Sequence, residues 1–242
     1  MDSLEGKLVL VTGGAVRVGA ALARAVAAAG GNLVLHYHSS AEKAEALQAE
    51  LSATGVTVHM LQADLGDLQQ AGELVPRARK FGPLYGLVNS AAIFEDLDLD
   101  SSDLSAWQRH LDLNLSAPFL LSQAFWRGLP AQQPGRIVNI LDWRALRPAA
   151  DHLPYTISKA GLAALTRSLA VAMAPQVTVN GIALGAILPP ADGGAAPKLI
   201  DQTPAGRWAE LDEVGQTLRF LLTGPGYITG DIIHLDGGRH LV

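Results

Sequence analysis

Along the chain, short runs of consecutive apolar and β-branched residues alternate with Ala/Leu-rich stretches whose apolar positions recur every three or four residues. Seven runs read as strands: Lys7 to Thr12, Leu33 to Tyr37, Val56 to Gln62, Leu84 to Asn89, Arg136 to Leu141, Val177 to Ala183 and Ile228 to Leu235. Most lack the polar alternation of a half-exposed strand, which predicts strands covered on both faces. Between them, Val18, Leu22 and Val26, then Ala44, Leu47 and Leu51, then Leu162, Leu165, Leu169 and Met173 form stripes at helical spacing. Each stripe can lie on a sheet face. The alternation predicts repeated βαβ units, and hence an α/β fold: a doubly wound, seven-stranded parallel sheet with helices on both faces.

No linker or internal repeat divides the 242 residues, so one domain over 1–242 is expected. The stretch 185–206 holds Pro189, Pro190, Gly193, Gly194 and Pro197, and a loop of that length is read as a substrate lid. A charge-free run from Ser168 to Ala191 is long enough to span a bilayer. Pro175, Gln176, Thr178, Asn180, Gly181 and Gly185 interrupt it, so it reads as a helix end, a turn and a strand. The start, MDSLEGK, is acidic and lacks a signal-peptide pattern; a cytoplasmic protein with no membrane partner is expected.

Composition removes several chemistries. The chain has no Cys, which excludes a disulfide framework, Cys zinc sites, iron–sulfur ligation and a thiol nucleophile. Its 18 Lys+Arg against 23 Asp+Glu give a net charge of −5 with no basic block, which argues against nucleic-acid binding. Small molecules and further copies of the chain are the expected partners.

The candidate chemistry begins at Thr12-Gly13-Gly14-Ala15-Val16-Arg17-Val18-Gly19, between the first strand and the first helix. Small residues there let backbone N–H groups and the helix N-terminus approach a pyrophosphate. Arg17 stands at the middle glycine place of GxGxxG, where a guanidinium could hold a phosphate or a planar heterocycle. After the second strand, His36-Tyr37-His38-Ser39-Ser40 carries no carboxylate to repel a 2′-phosphate, and His38, Ser39 and Ser40 could hydrogen-bond one, so NADPH is the expected cofactor. His36 and His38 share a strand face but lack a third ligand, and no metal site is expected. Tyr155 and Lys159, four apart, share a helix face, and a nearby ammonium is expected to lower the phenol pKa. Asp142 closes the apolar strand that ends at Leu141 and so stands at a carboxyl-end crevice.

With these residues the chain resembles the short-chain dehydrogenase/reductase family over nearly its whole length. The resemblance rests on the TGGAVRVG turn, Asp64 in Ala63-Asp64-Leu65, Asn89-Ser90-Ala91-Ala92, Asn114, Tyr155 with Lys159, Asn180, Ile228-Thr229-Gly230 and Asp236-Gly237-Gly238. It implies a single-domain Rossmann fold and a cofactor site formed by Gly13, Arg17, Val18, His38, Ser39, Ser40, Asp64, Leu65, Asn89, Ala91, Tyr155, Lys159, Gly185 and Ile187. It also implies that Asp64 contacts the adenine, that Lys159 binds the nicotinamide ribose, and that Asn114 organises a water leading to Lys159. A homotetramer, or at least a dimer, is implied, built on apolar faces around Leu115 to Phe125 and Leu162 to Met173.

Four departures are similar to one branch, the pteridine reductases and related dihydromonapterin and dihydrofolate reductases. They are Arg17 for glycine, Asp142 where most members carry the active-site Ser, the HYHSS segment, and Phe94 just beyond NSAA. The branch usually has an Arg in the segment held here by Ser39 and Ser40, and Leu184 replaces the family's Pro before Gly185. The resemblance implies that Arg17 and Phe94 hold a pterin against the nicotinamide, with Asp142 and Tyr155 completing the substrate site. Trp143 reads as an ordinary core residue, and the tail Arg239 to Val242 as a segment that could reach a neighbouring active site.

The expected reaction is hydride transfer from NADPH to the C=N bond of a dihydropterin or dihydrofolate. Tyr155, Asp142, Lys159 and Asn114 form the proton-handling set. The alternatives are a carbonyl reductase acting on a 3-oxoacyl, quinone or other ketone substrate, and a non-catalytic NADPH-binding sensor.

Overall fold

The computed structural model describes residues 3–188 and 200–242. Of the expected lid, Pro189, Pro190, Gly193, Gly194 and Pro197 lie outside the described residues. The strands are β1 Leu8–Val11, β2 Asn32–Tyr37, β3 Val58–Gln62, β4 Leu84–Asn89, β5 Gly135–Asp142, β6 Val177–Leu184 and β7 Ile232–Leu235. They form one parallel sheet in the order β3-β2-β1-β4-β5-β6-β7. The helices are α1 Arg17–Ala28, α2 Ala41–Ser52, α3 Leu68–Ala78, α4 Leu104–Leu111, α5 Ala117–Arg127, α6 Leu153–Met173 and α7 Leu211–Thr223.

Two apolar layers enclose the sheet. Leu22 and Val26 of α1, Leu47 and Leu51 of α2 and Leu218 of α7 pack with Val9, Leu33 and Leu35 on one face. Leu74, Leu121, Phe125, Leu169 and Met173 pack with Leu10, Leu87 and Ile137 on the other. Strands covered on both sides explain the unbroken apolar runs. The run Ser168 to Ala191 divides as expected through Leu184, with α6 ending at Met173 and β6 beginning at Val177. No helix among the described residues is long and apolar enough to cross a membrane.

Two strands start later than their apolar runs. Before β7, Gly230 takes a left-handed conformation, and the Asn180 side chain brackets the bend by donating to Ile228 O and accepting from Asp231 N. Before β3, the Asn32 side chain accepts from Thr57 N, where a strand ladder would otherwise run. In both places a side-chain amide takes up backbone groups just beyond the last ladder bonds, Leu33 N to Thr57 O and Gly181 N to Asp231 O.

Chain direction across the sheet reverses between β1 and β4, which are hydrogen-bonded neighbours. A crevice opens at the carboxyl ends of strands at such a switch point. Arg17 follows β1, Phe94 follows β4 and Asp142 ends β5, so three candidate residues leave adjacent strands at that edge.

Candidate active site

Where β1 meets α1, the chain needs glycine. Gly13 has φ +61°, and a Cβ there would stand 3.0 Å from Ala91 Cα. A Cβ on Gly19 would collide with the Gly13 carbonyl. The turn is tied to its neighbours: Thr12 Oγ1 accepts from Ser90 N at 2.9 Å and Ala91 N at 3.1 Å, and Gly13 N donates to His36 Nδ1 at 3.0 Å. His36 also bonds Ala63 O through Nε2 at 3.1 Å, so one buried imidazole links the turn to the end of β3. Burial lowers its pKa to about 4, so the ring stays neutral and its two nitrogens take opposite roles. His36 was read only as a strand histidine; its buried place directly behind the glycine turn is the signal that could have marked it.

This turn fits a dinucleotide phosphate. The N-cap of α1 is Val16, which offers no side-chain oxygen, and the first turn carries no acidic residue. By contrast α3 and α4 are capped by Asp67 and Asp103, and α7 by a capping box of Glu210 and Glu213. No capping side chain or first-turn carboxylate therefore competes with an anion at the start of α1. Arg17 opens the helix with φ +50°, its side chain exposed. At the next strand end, His38 and Ser39 are exposed, and Ser40 holds the N-cap place of α2 without spending its hydroxyl on the helix. His38 Nε2 lies 3.9 Å from Asp64 Oδ2.

Several expected cofactor residues can contribute backbone only. The Leu65 and Ile187 side chains belong to the core, and Val18 packs against it. Asn89 turns inward: its amide donates to Asn139 Oδ1 at 2.8 Å, and Asn139 donates to Thr166 Oγ1 at 2.9 Å, tying β4 and β5 to α6. With its amide committed to that link, Asn89 has its backbone left to offer a cofactor. Gly185 passes so close to β7 that a Cβ would sit 2.6 Å from Asp236 Cα.

Opposite the glycine turn, Asp142, Tyr155 and Lys159 converge. Tyr155 and Lys159 occupy one face of α6 and are both buried. Tyr155 donates its hydroxyl hydrogen to Asp142 Oδ2 at 3.1 Å, and Lys159 Nζ donates to Ile140 O at 2.7 Å. Asp142 Oδ1 accepts from Arg144 N at 2.8 Å, which fixes the carboxyl at the start of a short turn. Burial raises the Asp142 pKa and lowers that of Lys159 to about 8. For Tyr155, burial and the Asp142 charge both hold the pKa well above 10. The expected lowering by Lys159 is overturned: that ammonium sits 5.8 Å from the Tyr155 ring centroid and bonds a carbonyl, while the anion-forming neighbour is in direct contact.

Asn114 reaches the site through a π-helical turn, Asp112–Ser116, between α4 and α5. Such turns push one side chain inward. Its amide exchanges two 3.0 Å bonds with the Ile93 backbone and donates a third to Ser158 Oγ. These bonds hold the loop that carries Phe94.

Phe94 is 55% exposed, yet it is fixed on two sides. It stacks on His152 with centroids 4.1 Å apart and meets Tyr155 edge-on at 4.7 Å. His152 takes a left-handed conformation and bonds Glu95 O through Nδ1 at 2.9 Å. Sequence reading missed His152, which stands three residues before Tyr155. Trp143 is buried between the guanidinium groups of Arg144 and Arg239, each 4.9 Å from its ring. The tail folds onto its own chain: Arg239 donates to Gln202 O and Oε1, and Arg147 donates to Arg239 O.

A model of the enoyl-(acyl carrier protein) reductase family matches residues 14–240. The chain belongs to the short-chain dehydrogenase/reductase family. Among curated relatives of this oxidoreductase family, a 3-oxoacyl-[acyl-carrier-protein] reductase of Synechocystis sp. is 34% identical, with 98% of each chain covered. Among solved structures, FolM alternative dihydrofolate reductase 1 from Brucella canis, complexed with NADP, superposes with a TM-score of 0.91 at 36% identity, covering 99% of this chain and 96% of that one. A short-chain dehydrogenase from Burkholderia cenocepacia, also in complex with NADP, gives 0.92 at 35% identity, with 98% of each chain covered.

Proposed function

We propose that this short-chain reductase uses NADPH to reduce the C=N bond of a dihydropterin-type ring. The observation that carries the reading is the contact of Asp142 with Tyr155 beside an exposed, edge-on Phe94. An ionised Asp accepts hydrogen bonds and repels a developing oxyanion, whereas a pterin offers N–H donors and a basic ring nitrogen. Phe94 offers a flat apolar surface next to the phenol, as a planar ring requires. The likeness to the FolM alternative dihydrofolate reductases supports the same substrate class.

Gly13, Arg17 and the first turn of α1 would hold the pyrophosphate. His38, Ser39 and Ser40 would take the 2′-phosphate, Asp64 the adenine side, and Tyr155, Lys159 and the backbone of Ala91, Gly185 and Ile187 the nicotinamide end. NADP-bound relatives support that cofactor. When bound, NADPH supplies the hydride. Arg17 and Phe94 orient the pterin, and Asp142 accepts its N–H groups. The high pKa of Tyr155 keeps a proton on its hydroxyl for delivery to the ring nitrogen, while Lys159 fixes the ribose. One hydride and one proton thus complete the C=N reduction.

A second reading, reduction of a 3-oxoacyl or other ketone, is favoured by one specific observation. Burial raises the Asp142 pKa, and a protonated carboxyl can donate to a carbonyl oxygen as Ser would. Steady-state assays of 7,8-dihydropterins and dihydrofolate beside a 3-oxoacyl and ketone panel separate the two. Pterin turnover is the expected result; turnover of ketones alone rejects our reading. NADPH binding without oxidation by any substrate would instead favour a sensor.

Self-association belongs to the same proposal. Leu115, Phe119, Leu120 and Leu165 line an apolar surface groove with Leu68, and burial against a second copy would remove it from water. A catalytically competent monomer by light scattering would refute it. A cytoplasmic setting fits a chain without cysteine.

A further inference from the structure

At the far end of the sheet, three side chains with metal-binding donors converge outside the reductase site. His234 lies on β7, Asp236 follows it, and His240 lies in the C-terminal turn. One donor atom from each falls within 4.8 Å of the others. Asp236 is buried, while the two imidazoles stack at 3.9 Å and remain partly open to solvent. The three line a cavity of about 290 Å³ that also receives Arg207 and Glu213.

Part of this cluster has an ordinary structural role. Asp236 Oδ1 accepts from Gly238 N, and Oδ2 accepts from His240 N and lies 2.8 Å from His240 Nδ1, which closes the C-terminal turn. That role leaves His234 unexplained. Its Nδ1 is buried with no hydrogen-bond partner among the described residues, 4.0 Å from Asp236 Oδ2. A buried polar atom without a partner is costly, and a ligand would satisfy it.

We propose that His234, Asp236 and His240 bind one divalent transition-metal ion of the zinc, cobalt or nickel class. Two imidazole nitrogens and one carboxylate oxygen suit such ions, whereas magnesium and calcium prefer all-oxygen shells. Three protein ligands beside an open cavity leave a fourth position for water or a small anion. The bond from Gly238 N orients the carboxylate from outside the ligand set. Binding needs His234 and His240 to close on the carboxylate from their present spacing, and among the described residues no hydrogen bond holds His234 Nδ1 back.

The site would also act on the substrate side of the fold. Gly185 N donates to Leu235 O, Ala205 N donates to Gly237 O, and Arg239 holds Gln202. An ion there would brace the turn that anchors both Gly185 and residues 202–205.

Zinc titration of the full chain against a chromogenic chelator, with cobalt absorption spectra, tests the proposal. One ion per chain is expected. Loss of an outer-shell contact alone costs roughly 10- to 100-fold in metal affinity, so His234→Ala and His240→Ala should each lose at least about tenfold. His59→Ala should leave binding unchanged. Imidazole NMR of the unaltered protein provides a second readout, in which zinc should shift His234 and His240. No saturable binding, full affinity in His234→Ala, or zinc-induced shifts confined to other histidines would overturn the site.

Discussion

The Tyr155 hydroxyl donates to Asp142 Oδ2 at 3.1 Å, so the phenol of this site is paired with a carboxyl group rather than with a hydroxyl. The pairing keeps the phenol protonated and places a hydrogen-bond acceptor beside it. Asp142→Ser should therefore lower kcat/KM for a dihydropterin by roughly 10- to 100-fold, the scale of a lost hydrogen bond to a charged acceptor. Ketone turnover should rise in the same variant. Undiminished pterin reduction would contradict the role given to the carboxyl.

Lys159 should govern the alkaline side of the pH profile. Burial lowers its pKa to about 8, and the Asp142 charge partly opposes that shift. Activity that needs the ammonium should fall as pH rises through about 8. Asp142→Asn removes the opposing charge, so its alkaline limb should move to lower pH. Profiles of kcat/KM for both proteins check this, and an unmoved limb would remove Lys159 as its source.

His36 couples the glycine turn to acid stability. Its pKa is about 4 in the fold against 6.5 for a free imidazole, so the unfolded chain binds more protons between those values. The stabilisation is complete above pH 6.5 and is lost as pH falls toward 4. A shift of this size corresponds to on the order of 3 kcal/mol. Denaturant unfolding at pH 7 and pH 4.5 should show a steeper loss for the natural chain than for His36→Gln, whose side chain can still accept from Gly13 N. Equal losses would refute the coupling.

Phe94 should act on substrate rather than on cofactor. An aromatic contact contributes about 1 kcal/mol beyond its area, so Phe94→Ala should raise KM for a dihydropterin roughly 5- to 10-fold. The NADPH Kd should stay unchanged. His152→Ala, which removes the ring stacked beneath Phe94, should give a smaller rise of the same kind. Paired KM and Kd measurements distinguish this from a general loss of structure.

Much of the fold was legible because periodicity reports burial directly. The apolar runs gave all seven strands, with β4 matching Leu84 to Asn89 at both ends. The late starts of β3 and β7 were not legible, since Asn32 and Asn180 reach them from distant segments. In the site, Asp142, Tyr155 and Lys159 were found because helix spacing and a strand end bring them together. The directions of the Tyr155 shift and of the Asn89 amide depend on contacts across the sheet, which spacing does not encode. His152 was missed because its role arises only from stacking on Phe94, and His234 with His240 because a tertiary turn joins them.

The most direct measurement is a crystal structure of the complex with NADP⁺ and a 7,8-dihydropterin. The pterin ring should lie between Phe94 and the nicotinamide, touched by Arg17, with a ring nitrogen within hydrogen-bond distance of Tyr155 or Asp142. A ring bound away from Phe94 and Asp142, with the space beside Tyr155 blocked, would contradict the assignment.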